Sequence, residues 1–180
     1  AYIGIYARGV LTTGRLDSVM IANNVIGSVV DSISIGNIGI SLQNAINIDV
    51  SKNTILNLRL GNNPIGLFLG ADFTNALVSA NKIHTIIYSG TSGYGGKGIR
   101  IETLNSNSNI WVVNNSIYNI GGDSWSSLSG DANVGIQVLG ATGGIGFYFN
   151  SVKLFGNWDR TTATLSSAIY FSAGATNIDL

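Results

Sequence analysis

One phrase returns five times along this 180-residue chain: apolar residues at alternate positions, an asparagine, a small or polar residue, then an aliphatic. It reads MIANNVI at 20–26, VSKNTI at 50–55, VSANKI at 78–83, VVNNSI at 112–117 and FYFNSV at 147–152. The aligned asparagines are Asn24, Asn53, Asn81, Asn115 and Asn150, at steps of 29, 28, 34 and 35 residues. A second phrase interleaves with the first. It is a glycine or alanine followed by apolar residues at alternate positions: GIYA at 4–7, GISL at 39–42, GLFL at 66–69, GIRI at 98–101, GIQV at 135–138 and AIYF at 168–171. A third short strand follows each asparagine, as in ILNLRL at 55–60, IHTIIY at 83–88 and SIYNI at 116–120.

Repeats of this length cannot each bury a core, so they must stack on one another. Period-two segments rich in Ile and Val are strands. A sandwich would need hairpins with Asn-Gly or Asp-Gly turns, and neither dipeptide occurs. The pattern therefore predicts an all-β fold, a right-handed single-stranded parallel β-helix of five to six coils with an internal asparagine ladder, occupying 1–180 as one domain. Equivalent strands of successive coils pair in parallel about 4.8 Å apart. Like side chains then stack on like. At the corners a residue is driven into the left-handed region, which Asn tolerates better than most non-glycine residues. Its amide both donates and accepts, so a stacked row satisfies itself along the axis.

Composition narrows the functions. Charged residues make up 10% of the chain, and nine Lys and Arg balance nine Asp and Glu, which gives no electrostatic footprint for nucleic acid or an acidic membrane. With 45% hydrophobic residues the chain is not of the disordered class. The absence of cysteine excludes disulfides and Cys-ligated zinc. No apolar run approaches the ~20 residues of a membrane helix. No signal peptide is visible, and the chain begins at Ala1, in the manner of a processed or excerpted protein.

The I-x-x-N-x-I phrases with preceding G-I-x-I strands resemble the repeats of pectate-lyase-like parallel β-helices. The pattern is more similar still to repeat regions of large secreted and surface proteins of bacteria, of the Bacteroidetes type. That resemblance implies an extracellular, cell-surface location. It does not fix an activity, because the fold carries lyases, hydrolases, tailspikes, adhesins and stalks.

Enzymes of this fold imply acidic residues on neighbouring coils, with a Lys or Arg base in the lyases. Acid–base chemistry needs such groups within a few ångströms of one another. Asp17, Asp31, Asp49, Asp72, Asp123, Asp131, Asp159 and Asp179 do not recur at one repeat position; Asp49 and Asp179 share a phase but lie several coils apart. Arg100 aligns with Ser41, Phe68, Gln137 and Tyr170, and Glu102, the sole Glu, stands two residues on, on the same face, as a solvated ion pair. His84 is the sole histidine, too few for a His-based metal site, and reads as a hydrogen-bonded surface side chain. GYGGKG at 93–98 lacks the spacing of a phosphate loop. No catalytic residue, metal ligand or cofactor is assigned.

Binding is expected at the insertions. From each ladder asparagine to the next first strand the gap grows from 14 residues to 18, 21 and 19. The added residues fall at one corner, in 89–98, 121–135 and 156–167, and insertions at a fixed phase of a solenoid often build its binding face. They carry Lys97 and the aromatic residues Tyr94, Trp125 and Trp158, candidates to stack on a sugar. Asp17-Ser18-Val19 and Asp31-Ser32-Ile33 resemble the Bacteroidetes O-glycosylation motif, making Ser18 and Ser32 candidate acceptors, and Asn114-Asn115-Ser116 is an N-glycosylation sequon. Both ends interrupt the repeat, which fits a segment of a longer chain or head-to-tail stacking of subunits. The expected function is a non-enzymatic structural or adhesive module with itself or a polysaccharide as partner. The alternative is a polysaccharide lyase, glycoside hydrolase or glycan-binding module using the inserted loops.

Overall fold

A computed structural model describes residues 1–180 except 12, 60 and 155–164. It is a parallel β-helix of about five turns. Each coil contributes one strand to each of three parallel sheets. Sheet I stacks β1 (Ile3–Arg8), β5 (Ile38–Gln43), β8 (Ile65–Leu69), β11 (Lys97–Ile101), β14 (Asn133–Val138) and β17 (Ser166–Phe171). Sheet II stacks β2 (Leu16–Asp17) with β3 (Met20–Ala22), then β6 (Ala45–Ser51), β9 (Phe73–Ser79), β12 (Ile110–Val113), β15 (Gly143–Tyr148) and β18 (Thr176–Asp179). Sheet III stacks β4 (Val25–Ile26), β7 (Thr54–Leu58), β10 (Lys82–Ile87), β13 (Ser116–Gly121) and β16 (Ser151–Lys153).

The expected like-on-like stacking is present. Ile40, Leu67, Ile99, Ile136 and Ile169 form one column in sheet I. Val50, Val78, Val112 and Phe147 form one in sheet II, and Ile26, Ile55, Ile83, Ile117 and Val152 one in sheet III. These side chains make a single axial core. Glycine fixes how closely sheets I and III approach. A Cβ at Gly66 would lie 2.5 Å from Ile83 Cγ2, and one at Gly98 would lie 2.4 Å from Ile117 Cγ2.

The ladder runs as an unbroken chain at the corner from sheet II to sheet III. Nδ2 of Asn24, Asn53, Asn81 and Asn115 donates to Oδ1 of the next ladder asparagine at 3.0, 3.0, 3.0 and 2.9 Å. The backbone N–H of each donates to the same oxygen at 3.0–3.1 Å. From Asn53 onward Nδ2 also donates back to a carbonyl one coil earlier, as Asn81 does to Val50 at 2.8 Å. One expectation needs correction. The ladder asparagine is not the left-handed residue; the residue before it is. Asn23, Lys52, Ala80, Asn114 and Phe149 have φ between 54° and 59°. The bend falls at that residue, and the asparagine after it is left free to turn its amide along the axis.

Candidate functional site

The insertions at 89–98 and 121–135 lie at one corner, between sheets III and I, and pack on each other. Gly93 N–H donates to Asp123 Oδ2 at 2.8 Å, and Ser124 N–H donates to the Tyr94 carbonyl at 3.0 Å. The Tyr94 ring meets Tyr88 edge-on, with centroids 5.3 Å apart. Trp125 folds over Gly93, where an added Cβ would stand 2.5 Å from the ring, yet it stays half exposed. Trp158, Asp159 and Arg160 lie outside the described residues. Lys97 departs from expectation: it begins β11 and is fully buried. Its Nζ donates to Asn63 Oδ1 and, at 3.0 Å, to the Gly95 carbonyl. Burial, and secondarily the Arg100 charge, lower its pKa to about 7. An amine so enclosed is a structural contact beneath the loops and is out of reach of a macromolecular substrate. Opposite Arg100 on the neighbouring strand, Gln137 Nε2 donates to the Leu128 carbonyl at 2.7 Å, which pins the 121–132 loop over sheet I.

The other residues singled out are dispersed. Arg100 Nη2 meets Glu102 at 2.7 Å, and the guanidinium lies over Phe68. His84 stacks flat on Tyr118, with centroids 4.7 Å apart. Burial, with help from the Lys82 charge, lowers its pKa. Asp72 takes a bidentate ion pair from Arg15. Ser18 is exposed and donates to Asp17 Oδ1 at 2.9 Å, and Ser32 lies in an exposed 3-10 turn at Asp31–Ile33. Among the described residues no three His, Cys, Asp or Glu side chains gather to hold a metal, and no helix is long and apolar enough to cross a membrane.

A second surface emerges on the outer face of sheet II. Asn47, Asn75, Asn109 and Asn177 all have φ of 49–58°, and Gly144 completes their column at φ 67°. Within sheet II the strand pairing passes over these positions, where they stand one-for-one in register, so a left-handed kink repeats coil after coil. Their exposed side chains form a second ladder: Asn109 Nδ2 donates to Asn75 Oδ1 at 2.7 Å, Asn75 donates to Asn47, and Asn47 donates to Asp17 Oδ1 at 2.8 Å. Those bonds hold the Asp17 pKa below its ordinary value, with Asn47 the largest contribution.

Beside this ladder runs an outward column of Met20, Asp49, Leu77, Trp111, Gly146 and Asp179. Trp111 stacks on Tyr148, with centroids 5.6 Å apart and planes 22° apart. Both rings occupy the space that a side chain at Gly146 would need, 2.7 Å from Tyr148 and 2.9 Å from Trp111. Tyr148 donates to Asp179 Oδ2, and that bond raises its pKa. Two depressions flank Trp111. One, of about 310 Å³, lies over Gly144 and Gly146 between Asn109 and Asp179. The other, of about 300 Å³, lies between Asp49 and Asn75. This face carries no insertion, yet its signal is in the sequence. Ser18, Asn47, Asn75, Asn109 and Gly144 each stand six residues before a ladder asparagine.

No protein-family model, curated protein or solved structure matches the chain.

Proposed function

We propose that this chain is a structural and adhesive β-helix module that holds polysaccharide at a bacterial cell surface without cleaving it. One observation carries the reading: the outer face of sheet II sets an aromatic pair among side-chain amides, with the two carboxylates of its outward column, Asp49 and Asp179, far apart. Trp111 and Tyr148 offer apolar ring surface, and the asparagines offer both donors and acceptors. That mixture suits a sugar, which presents C–H faces and hydroxyl edges together. Asp49 and Asp179 stand four coils apart in one column, or about 19 Å at ~4.8 Å per coil. Paired carboxylates that cleave glycosides stand roughly 5–9.5 Å apart, so these two cannot act on one bond.

The test is a panel of soluble polysaccharides, assayed in parallel for retention and for new reducing ends or unsaturated products. Retention without product is expected. Turnover of any polymer would establish the enzyme in place of the module. Electron microscopy of the same sample reads whether copies also stack end to end as filaments, the self-assembling form of the same proposal.

A further inference from the structure

The Gly144 position breaks the outer ladder in an informative way. Every amide in that ladder donates toward the preceding coil. Asn75 Oδ1 therefore receives Asn109, but the next coil offers Asn109 Oδ1 only a glycine. The amide row stops at an acceptor left open beside a depression. In the same coil the outward column carries Gly146, over which the Trp111 and Tyr148 rings lean, and the floor of the depression is backbone at Gly144. Trp111 forms the wall on one side, and Asp179 and Asn177 close the other.

We propose that this notch binds one pyranose ring of a neutral glycan, with the chain running along the helix axis across Trp111 toward the depression at Asp49. The inference rests on the adhesive reading above and names its ligand class and its residues. Trp111 supplies the stacking surface shared by both depressions. Asn109 Oδ1 accepts the hydroxyl that replaces the missing ladder amide. Asp179 and Asn177 bind the hydroxyls at the opposite edge. No Lys or Arg lines either depression while each holds one carboxylate, so uronate and sulfated chains are repelled. The axial direction follows from the two depressions, which succeed one another along the coil stack on either side of Trp111.

The experiment is affinity electrophoresis of the whole chain in gels containing mixed-linkage β-glucan, galactomannan, polygalacturonate or chitosan. W111A and G146L are compared with W125A on the loops. W111A only trims an exposed side chain from a column that already carries Asp49 and Leu77, whereas G146L must push the Trp111 and Tyr148 rings aside; equal urea midpoints check that each variant keeps the fold. The expected result is retention by at least one neutral polymer, insensitive to 0.5 M salt (roughly a 4 Å screening length), weakened at least tenfold by W111A and by G146L and within twofold of the parent for W125A. Retention lost in W125A but kept in W111A would move the ligand to the loops, leaving the adhesive reading intact and this inference overturned. Retention only by polygalacturonate or chitosan would overturn the neutral class. Retention by no polymer at all would remove the adhesive reading itself.

Discussion

Asn81 shows what a ladder asparagine does. Its Oδ1 accepts the Asn53 N–H and Nδ2, and its own Nδ2 donates to the Val50 carbonyl and Asn115 Oδ1. All of this happens in a site 1% exposed. Asn81→Ala should therefore cost about 3–5 kcal/mol, because each buried group left without a partner costs about 1–3 kcal/mol. Asn24→Ala should cost markedly less, since Asn24 is only half-buried and receives no bond from an earlier ladder asparagine. Urea unfolding midpoints of the two variants check the ordering. The residue before the ladder makes the opposite prediction. Ala80 sits at φ 54°, a region costly for alanine and tolerated by asparagine. Asn23 and Asn114 already stand in that column. Ala80→Asn should raise stability by about 0.5–1 kcal/mol, read by the same midpoint. The ladder was legible because its chemistry admits one residue type. The left-handed column was not, because Asn, Lys, Ala and Phe all occupy it, and a conformation paid for by the rest of the coil leaves no mark on composition.

At the level of elements, strands and register followed from period-two patterning. The alignment of Arg100 with Ser41, Phe68, Gln137 and Tyr170 is the pairing observed. The covering of sheet I did not follow, because it depends on loops folding back over a strand. Lys97 looked like a loop cation in the GYGGKG run, yet it is the first residue of β11 and lies beneath the insertions. Its burial has a measurable consequence. With the folded-state pKa lowered to about 7 from 10.5, the unfolded chain holds a proton in that interval that the folded chain has released. Stability contributed by this site should thus rise as pH increases from 7 to 9, and stay flat below 7. Urea midpoints across that range check the slope, which Lys97→Met should abolish. A parent slope that is flat or falls with pH would mean that the ammonium is accommodated by Asn63 and Gly95 at no net cost. The outer face of sheet II was legible in principle but required reading a second phase. The left-handed outer column stands at a constant six residues before each ladder asparagine, and Trp111 gains meaning only once that column becomes an amide row beside it.

Over the whole molecule, each coil touches only its neighbours apart from a few long side chains, so stability is distributed along an axis. The central columns in β6–β13 are almost solvent-free, while β1 alternates half-buried with exposed residues and β17 has no fully buried one. Amide exchange of this 180-residue chain should therefore be slowest at Val78 and Val112 and accelerate toward both outer coils, instead of showing one uniform opening energy. Arg15 is the exception that makes the idea testable. It reaches from the first coil past the second to Asp72, with Nε at 2.8 Å from Oδ2, and Asp72 sits in the left-handed corner between sheets I and II at φ 52°. Because the pair is partly exposed, its net worth is small, of order 1 kcal/mol. Its position is what counts, since it clamps the β2 segment onto a coil with which that segment shares no strand pairing. Arg15→Ala should speed exchange in Leu16–Asp17 and the amides that bond to it, while leaving Val78 and Val112 unchanged. If the centre accelerates equally, the coils unfold as one cooperative unit and the one-dimensional account of this solenoid is wrong. If neither region changes, the clamp contributes nothing and the first coil is held by the pairing of its strands with β5, β6 and β7.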